Sequence, residues 1–387
     1  MLERFEFMTA GRIIFGAGVL KELPRHAEAL GKRALVVTGR DSRRAAPVFD
    51  LLTGAAIAYE VFSVNGEPSV QTACEGVAQA RAFAAELIIG VGGGGALDAA
   101  KAIAALATNP GDPLDYLEVV GKAQPLINAP LPYIAIPTTA GTGSEATRNA
   151  VLTAEAQRVK VSLRSPLMLP RLALIDPTLT HTLPPSVTAS SGLDALTQLI
   201  EPFISRRANP LTDALCREGL TNAAWALPRA YAQGDDAEAR EAMAYASLFS
   251  GMALANAGLG VVHGFAAPIG GMFGAPHGMI CASLLPHGMA ANVRALRAQD
   301  DTFARDRLMR FEEIALLLDA ESPEAEAAVS ALCALCERLN VPRLRDLGVR
   351  REAFSEIVQK AKATNSMKAN PVALSDFELH AILDAAW

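Results

Sequence analysis

The 387-residue sequence contains no apolar run of the roughly 20 residues that a membrane-spanning helix needs, because glycine, proline or charged residues interrupt each candidate. Its first residues also lack the basic segment and apolar core of a secretory signal. Basic residues do not exceed acidic ones, 35 against 41, and neither sign forms long runs. These absences predict a cytoplasmic protein that binds neither nucleic acid nor a membrane surface.

Cysteine and aromatic residues are also scarce. The five cysteines form an odd set at uneven spacing, which fits reduced thiols better than a disulfide framework. Cys333 and Cys336 lie in an apolar helical stretch without a second such pair, so we interpret them as buried structural residues. Hydrophobic residues nevertheless make up 51% of the chain, enough for a large core, and the length favours two domains.

The two halves of the sequence differ in their pattern. The first half alternates alanine-rich helical stretches with short apolar runs, at residues 33–38, 87–91 and 132–137. These runs are too continuously apolar for half-exposed strands, so they predict a parallel sheet covered on both faces. After Asp176 and Pro177 strand-like runs become scarce and helical periodicity dominates. We predict an α/β domain over residues 1–177 and an all-α domain over 178–387, with a cleft between them.

A glycine-rich turn follows the second apolar run and opens a predicted helix. Gly90, Gly92 and Gly95 have the GxGxxG spacing, so the backbone can approach a diphosphate closely and present N–H groups to it. The motif alone does not exclude a tight strand-to-helix turn without a ligand. We assign the residues of the turn to cofactor binding, namely Gly92, Gly93, Gly94 and Gly95.

A second loop, residues 137–147, follows the next apolar run. Its hydroxyl groups and small side chains can hydrogen-bond a phosphate, a ribose or a base without crowding it, and we assign Thr138, Thr139 and Thr142 to this role. Open α/β sheets bind their ligands at the carboxyl ends of strands. Two such loops at adjacent strand ends therefore predict a dinucleotide in a Rossmann-like domain.

The turn after the first apolar run bears on which dinucleotide binds. An acidic residue there would favour a free 2′-hydroxyl, whereas Gly39, Arg40 and Ser42 leave room and positive charge for a 2′-phosphate. The cofactor is therefore expected to be NAD(P), with NADP the candidate for the preferred form. A solvated basic turn without contact to the cofactor would give the same sequence.

Four residues in the second half could hold a divalent metal ion. Asp194 and Gln198 are four positions apart in a helical stretch, which places both side chains on one face. His263 and His277 are two of only six histidines. Imidazole and carboxylate together suit iron, zinc or another divalent ion and leave a position open for substrate. Spacing alone also allows a polar surface pair and two histidines with structural roles.

In chain order these residues resemble the iron-containing (group III) alcohol dehydrogenase family, over almost the whole sequence. The resemblance rests on Gly92 to Gly94 with Asp98 and Lys101, the loop 137–147, Lys160, Asp176 with Pro177, Gly192 to Glu201, and His263 to Gly278. It implies the two-domain architecture shared with dehydroquinate synthase, with NAD(P) bound in the first domain and Fe²⁺ or Zn²⁺ in the second. It also adds Asp98 and Lys160 to the cofactor-binding residues.

The family holds its metal with one aspartate and three histidines, and the matching residues here are Asp194, Gln198, His263 and His277. Gln198 replaces a histidine, and a neutral amide oxygen is a weaker donor, so metal affinity and identity stay open. Ala267 replaces a histidine that commonly lies near the substrate, so we expect the proton to travel through water, ribose hydroxyls or Thr142. Gly95 stands where the glycine turn usually ends in serine.

The resemblance implies hydride transfer between the nicotinamide and a small or medium alcohol or aldehyde, in a homodimer or higher homo-oligomer. The implied catalytic residues are Asp194, His263, His277 and Thr142. One alternative is a metal-free reductase of the maleylacetate type, favoured by the missing histidine but not by the retained aspartate and histidines. Another is a lyase resembling dehydroquinate synthase, although residues 265–268 are apolar where that chemistry needs charge. The third is a degenerate nucleotide-binding protein without turnover.

Overall fold

The computed structural model describes residues 4–387. The chain forms two compact units, one of Met8–Thr182 and one of Leu183–Trp387 with the described residues before Met8. The division follows Thr182, shortly after the expected boundary at 177, because the short helical turn Pro177–Thr180 belongs to the first unit.

The first unit is built on a six-stranded sheet in which all neighbouring strands are parallel. The strands of the unit are, in chain order, β1 Ile13–Phe15, β2 Arg33–Gly39, β3 Ala58–Val64, β4 Leu87–Gly92, β5 Tyr133–Pro137, β6 Asn149–Ala154, β7 Val159–Arg164 and β8 Leu172–Ile175. The order across the sheet is β1-β8-β5-β4-β2-β3, and β6 pairs with β7 in a separate antiparallel hairpin.

Helices lie between the strands of this unit, at α1 Leu23–Glu28, α2 Ala46–Gly54, α3 Val70–Ala82 and α4 Gly94–Thr108. Successive residues of the central strands point to opposite faces and fill two separate cores. Leu35 and Val37 of β2 belong to the core that also contains residues of α3 and α4, whereas Ala34 and Val36 belong to the core with residues of α1 and α2. Burial on both faces explains why these strands are continuous apolar runs.

The strand order reverses beside β2, because the chain places β3 on one side of it and β4 on the other. Ligands of open α/β sheets bind at such a reversal, beyond the carboxyl ends of the strands. β2 ends at Gly39 and β4 ends at Gly92, and a Cβ atom at Gly92 would lie 3.4 Å from the Gly39 nitrogen. Two of the predicted cofactor loops therefore begin side by side at this reversal.

The second unit is helical throughout its regular structure. Its helices are α5 Pro185–Ile204, α6 Pro210–Ala232, α7 Ala237–Ala257, α8 Val261–Phe273, α9 His277–Arg297, α10 Thr302–Leu317, α11 Ala325–Arg338, α12 Phe354–Lys362 and α13 Asp376–Ala386. The predicted fold class, a Rossmann-like parallel sheet followed by an all-α part, is confirmed. Within residues 4–387 no single helix is both long and apolar enough to cross a membrane, and α7 with α8 meets that test only as a pair bent by 98°.

Candidate active site

Helix α5 carries the first two residues of the predicted metal site. Asp194 and Gln198 are both buried, and the amide nitrogen Nε2 of Gln198 donates a hydrogen bond of 2.7 Å to Oδ2 of Asp194. The two side chains lie on the same face of the helix, as their spacing predicts. This hydrogen bond leaves Oδ1 of Asp194 as the free oxygen of the carboxylate.

Two histidines from other helices approach that oxygen. His263 lies on α8 and His277 is the first residue of α9. Their Nε2 atoms are 3.4 Å and 3.6 Å from Oδ1 of Asp194, and their ring centroids are 5.4 Å apart. The structure thus brings together an aspartate and two histidines that are far apart in the sequence.

Close packing of α9 against α5 places His277 at this point. The next residue, Gly278, lies against the backbone of Ser190, and a Cβ atom there would overlap the Ser190 carbonyl oxygen. Only glycine lets the first turn of α9 come so near to α5. His277 is consequently held beside Asp194, which lies one helical turn after Ser190.

Cys281 completes the group. It is buried on α9, four residues after His277, and its Sγ atom is 3.7 Å from Nε2 of that histidine. One donor atom each from Asp194, His263, His277 and Cys281 lie within 4.8 Å of one another. Sequence reasoning missed this cysteine, although the same four-residue spacing that linked Asp194 to Gln198 links it to His277.

Three atoms at this site are buried without a hydrogen-bond partner among the described residues. They are Oδ1 of Asp194, Nε2 of His263 and Oε1 of Gln198. Polar atoms in the interior are normally paired, because an unpaired group loses its contacts with water and gains nothing in return. Three such atoms in one cluster are free to act as donors to a bound ion.

Glu201, one helical turn after Gln198 on α5, hydrogen-bonds the ring of His263. Its Oε2 is 2.7 Å from Nδ1 of His263, and its Oε1 accepts a hydrogen bond of 2.7 Å from the backbone nitrogen of Val262. A carboxylate at Nδ1 leaves Nε2 as the nitrogen available to a ligand. Sequence reasoning gave Glu201 no role, because no local pattern shows that it reaches the start of α8.

The charges of the group act on one another. Burial alone would raise the pKa of Asp194, but His277 and His263 bring it below its ordinary value. Burial alone would lower the pKa of His263, but Cys281, Asp194 and Glu201 raise it well above its ordinary value. Burial would likewise raise the pKa of Cys281, whereas the two histidines bring it down. The buried carboxylate, imidazoles and thiol of this group therefore shift one another's pKa values in the direction that favours their charged forms.

The predicted cofactor loops meet in the first unit. Helix α4 begins at Gly94, and its first turn has no side-chain cap. A Cβ atom at Gly93 would lie 3.2 Å from the methyl carbon of Thr139, and a Cβ atom at Gly94 would lie 3.0 Å from the hydroxyl oxygen of Thr142. The glycine turn, Gly92 to Gly95, and the threonine loop, residues 137–147, are thus in contact. They lie beside the uncapped N–H groups at the N-terminus of α4.

Asp98 and Lys101 of α4 bind the threonine loop from inside the protein. Oδ1 of Asp98 accepts a hydrogen bond of 2.6 Å from Ser144 Oγ, and its Oδ2 accepts one of 3.0 Å from the Val151 nitrogen. The Nζ atom of Lys101 donates to Ser144 and Thr147 side chains and to the carbonyl oxygens of Ser144 and Asn149. One carboxylate oxygen of Asp98 therefore binds the loop, and the other binds β6, the strand that follows it.

The remaining predicted cofactor residues lie at two other places. Lys160 on β7 is nearly buried and forms an ion pair with Glu67. Arg40 is exposed and makes no hydrogen bond or ion pair with any residue in the range 4–387, whereas Arg43 pairs with Asp41. Arg40 is thus a positive charge at the end of β2 that is open to a ligand.

Two family models together cover most of the chain. The model of iron-containing alcohol dehydrogenases matches residues 10–177, and the model of the C-terminal part of the Fe-containing alcohol dehydrogenase family matches residues 188–387. The chain belongs to the iron-containing alcohol dehydrogenase family. The resemblance inferred from the sequence is confirmed, and the enzyme is an alcohol dehydrogenase, an oxidoreductase that acts on CH–OH groups.

Individual members of the family match over the whole chain. Alcohol dehydrogenase 4 of Saccharomyces cerevisiae is 36% identical over 382 residues, 96% of each chain. The NAD-dependent methanol dehydrogenase of Bacillus methanolicus is 32% identical over 364 residues, 92% of this chain and 93% of that one. The crystal structure of a 1,3-propanediol oxidoreductase is 34% identical and superposes with a TM-score of 0.92 over 100% of both chains.

One position of this alcohol dehydrogenase bears on proton transfer. Ala267 lies on α8, one helical turn after His263, and its side chain is half-buried. A methyl group can neither accept nor donate a proton. The side chain at this position therefore takes no part in moving the substrate proton.

Proposed function

We propose that the enzyme transfers a hydride between a nicotinamide cofactor and a small or medium uncharged alcohol or aldehyde, with a divalent metal ion bound by α5, α8 and α9. The observation that carries this proposal is the group of buried Asp194 and His263 with half-buried His277. Oδ1 of Asp194 and Nε2 of His263 face each other at 3.4 Å without forming a hydrogen bond.

The residues of this group fit a divalent ion of the iron or zinc type. Two imidazoles and a carboxylate bind such ions and leave coordination positions for a substrate. Unpartnered buried atoms are satisfied when they become ligands. We propose Fe²⁺, with Zn²⁺ as the second candidate for the same donors, and Gln198 would stand beside the ion next to Asp194, to which it donates a hydrogen bond. When bound, the ion supplies Lewis-acid polarisation of a substrate oxygen.

The protein residues position the reacting groups and control protons. Asp194, His263 and His277 would hold the ion, and Glu201 fixes the ring of His263 so that Nε2 faces the site. Because Ala267 offers no titratable group, we propose that the substrate proton leaves through water, ribose hydroxyls or the hydroxyl of Thr142.

The first unit is proposed to bind the dinucleotide at the carboxyl ends of β2, β4 and β5. The diphosphate would meet the N-terminus of α4, where the N–H groups lack a side-chain cap. The residues proposed to contact the cofactor are Gly39, Arg40, Ser42, Gly92, Gly93, Gly94, Gly95, Thr138, Thr139 and Thr142, with Asp98 and Lys160 supporting the loops. The open charge of Arg40 is what supports NADP as the preferred form.

We further propose a cytoplasmic enzyme that assembles as a homodimer or a larger homo-oligomer. The five cysteines are all free thiols in the structure, which fits a reducing compartment.

The proposed assembly has candidate contact residues on α10. The side chains of Met309 and Leu316 are 58% and 66% exposed and lie two turns apart on one face. Sedimentation velocity of the purified enzyme tests the assembly.

The decisive experiment follows nicotinamide absorbance with a panel of alcohols and aldehydes, in both directions and with NADH and NADPH. Metal-free enzyme is compared with enzyme loaded with Fe²⁺ or Zn²⁺. We expect turnover only in the loaded enzyme, and loss of both metal and turnover in Asp194→Ala and His277→Ala. The exposed Asp235→Ala on the same unit is the matched control and should behave like the wild type.

Two of the alternatives give distinct results in this experiment. Full turnover of metal-free Asp194→Ala protein would favour the metal-free reductase. Cofactor binding detected by fluorescence, without any change in nicotinamide absorbance across the panel, would indicate a protein that binds nucleotides but does not catalyse hydride transfer.

A further inference from the structure

We propose that the thiolate of Cys281 is the fourth protein donor to the metal ion. Gln198 then positions Asp194 through a hydrogen bond and is not itself a ligand. The donor set would then be one carboxylate oxygen, two imidazole nitrogens and one sulfur. This proposal rests on the proposed function, because it concerns the metal of that same site.

The position of Cys281 on α9 is the first argument. It follows His277 by four residues, so both side chains lie on one face of the helix, one turn apart. Its sulfur is buried and lies among the donor atoms of the other three residues, all within 4.8 Å of one another. Cysteine thiolate is among the strongest protein ligands for zinc and related ions.

The distances between the donor atoms are the second argument. In a tetrahedral site with bonds of about 2.0 to 2.3 Å, donor atoms are separated by roughly 3.3 to 3.8 Å. Oδ1 of Asp194 is 3.4 Å from Nε2 of His263 and 3.6 Å from Nε2 of His277, and that atom is 3.7 Å from the sulfur of Cys281. Three edges of the group therefore already have the lengths that one ion among them requires.

The hydrogen bond of Gln198 is the third argument. Its Nε2 donates to Oδ2 of Asp194 at 2.7 Å, which holds the carboxylate with its other oxygen toward the two histidines. A neutral amide oxygen competes poorly with an anionic sulfur for a divalent ion. Oε1 of Gln198 has no hydrogen-bond partner among the described residues, but as a neutral oxygen it is the weaker candidate for the fourth position. Gln198 therefore acts as a positioning residue for Asp194, and the sulfur takes the place of the imidazole that this chain lacks on α5.

A sulfur donor would also shift the metal preference of the proposed site toward Zn²⁺, the second candidate for these donors. Thiolate is a soft ligand and selects zinc over harder ions, whereas imidazole suits iron and zinc alike. When equal concentrations of Fe²⁺ and Zn²⁺ are offered under reducing, oxygen-free conditions, the wild type should retain a larger share of zinc than Cys281→Ser does. Metal content after gel filtration measures this ratio.

Cobalt provides the direct test, because thiolate bound to Co²⁺ absorbs in the near ultraviolet by charge transfer and nitrogen or oxygen ligands do not. The metal-free full-length enzyme is titrated with Co²⁺, and bound cobalt is measured by mass spectrometry. We expect about one equivalent to bind with the charge-transfer band. Cys281→Ser should lose the band and bind cobalt about tenfold or more weakly, since loss of a direct ligand costs at least what loss of a supporting residue costs.

Two further variants separate the roles of the neighbours. Cys336→Ser removes another buried cysteine, whose sulfur contacts Ala282 on α9, and should keep the band and the affinity. Gln198→Leu should keep the band while weakening the affinity, because the orientation of Asp194 is lost but the sulfur remains. Circular dichroism of each metal-free variant shows whether it folds. If Cys281→Ser does not fold, the presence or absence of the charge-transfer band in the wild type tests the thiolate ligand.

The outcomes distinguish this proposal from the proposed function. Cobalt bound at one equivalent without a charge-transfer band, or a band that survives in Cys281→Ser, would overturn the thiolate ligand and leave the metal-assisted function intact. Wild-type enzyme that binds no cobalt, iron or zinc would overturn both.

Discussion

Glu201 of α5 accepts a hydrogen bond from Nδ1 of His263 at 2.7 Å, while its other oxygen accepts one from the backbone nitrogen of Val262. One buried carboxylate thus binds both the ring of His263 and the first turn of the helix that carries it. This double contact determines which nitrogen of His263 faces Asp194. The orientation of a metal-binding histidine is commonly fixed in this way.

Replacing Glu201 with glutamine should weaken metal binding without abolishing the fold. The amide keeps the volume of the side chain but loses the charge that favours the Nδ1–H form of His263. We expect zinc or cobalt affinity to fall by about 10- to 100-fold, as for other supporting residues of metal sites. Competition with a chromophoric chelator measures the affinity.

The exposed Glu241→Gln on α7 is the matched control for this measurement. Unchanged affinity in Glu201→Gln would mean that packing alone orients His263. A variant that no longer unfolds cooperatively would show instead that Glu201 is needed for the junction between α5 and α8.

The parts of the fold that were predicted are those with a strong local signal. β2, β4 and β5 are buried on both faces, so their sequences are uninterrupted apolar runs. β3 is an edge strand with mixed exposure and β1 has only three residues, so neither produces a clear run or a clear alternation. Pairing between distant strands is likewise absent from any local pattern.

The same distinction applies to the candidate site. The contact between Asp194 and Gln198 follows from helical spacing alone, and the structure shows it as a hydrogen bond. The approach of His263 and His277 depends on how three helices pack, which no local pattern contains. The spacing argument could also have identified Cys281, because it lies four residues after His277 and so on the same face of the helix. Which of these residues bind metal stays a prediction.

Serine is the usual residue at the position of Gly95, but we predict that it destabilises this chain. A Cβ atom there would overlap the backbone carbonyl oxygen of Gly66, so the loop before α3 would have to move. We expect Gly95→Ser to lower the free energy of unfolding by about 1 to 3 kcal/mol, the usual cost of overpacking, and to weaken NADPH binding. Urea unfolding and cofactor fluorescence measure the two effects.

Gly54→Ser is the control, because a Cβ atom at Gly54 meets no atom within 4 Å. Its stability and cofactor binding should match those of the wild type. If Gly95→Ser is as stable as Gly54→Ser and binds NADPH more tightly, the loop is adaptable and the serine hydroxyl serves the cofactor here as well.

Gly39→Asp should shift the cofactor preference from NADPH toward NADH. A Cβ atom at Gly39 would meet no other atom within 4 Å, so the change adds charge without overlap. Repulsion of the 2′-phosphate should change the NADPH to NADH ratio of kcat/KM by about tenfold, or roughly 1.4 kcal/mol. Gly39→Asn is the neutral control and should shift the ratio much less. Equal ratios in the wild type and both variants would place the ribose elsewhere.

Glu145 should make the stability of the enzyme fall as the pH rises through the neutral range. Burial raises the pKa of this carboxyl from 4.5 to about 7, although Lys101 acts in the opposite direction. Between these values the folded protein holds a proton that the unfolded chain has released, so each step to higher pH favours unfolding. Above about pH 7 the full cost is present, on the order of 3 kcal/mol for a shift of this size.

Glu145→Gln isolates this contribution, because the amide is neutral at every pH and nearly the same shape. The variant and the wild type should have similar urea midpoints near pH 4.5, and the variant should become progressively more stable than the wild type up to about pH 7. The metal-site histidines titrate in both proteins, so they cancel in the difference. The exposed Glu155→Gln should show no such trend. A difference between Glu145→Gln and wild type that is the same at every pH would mean that Glu145 ionises in the folded protein as it does in the unfolded chain.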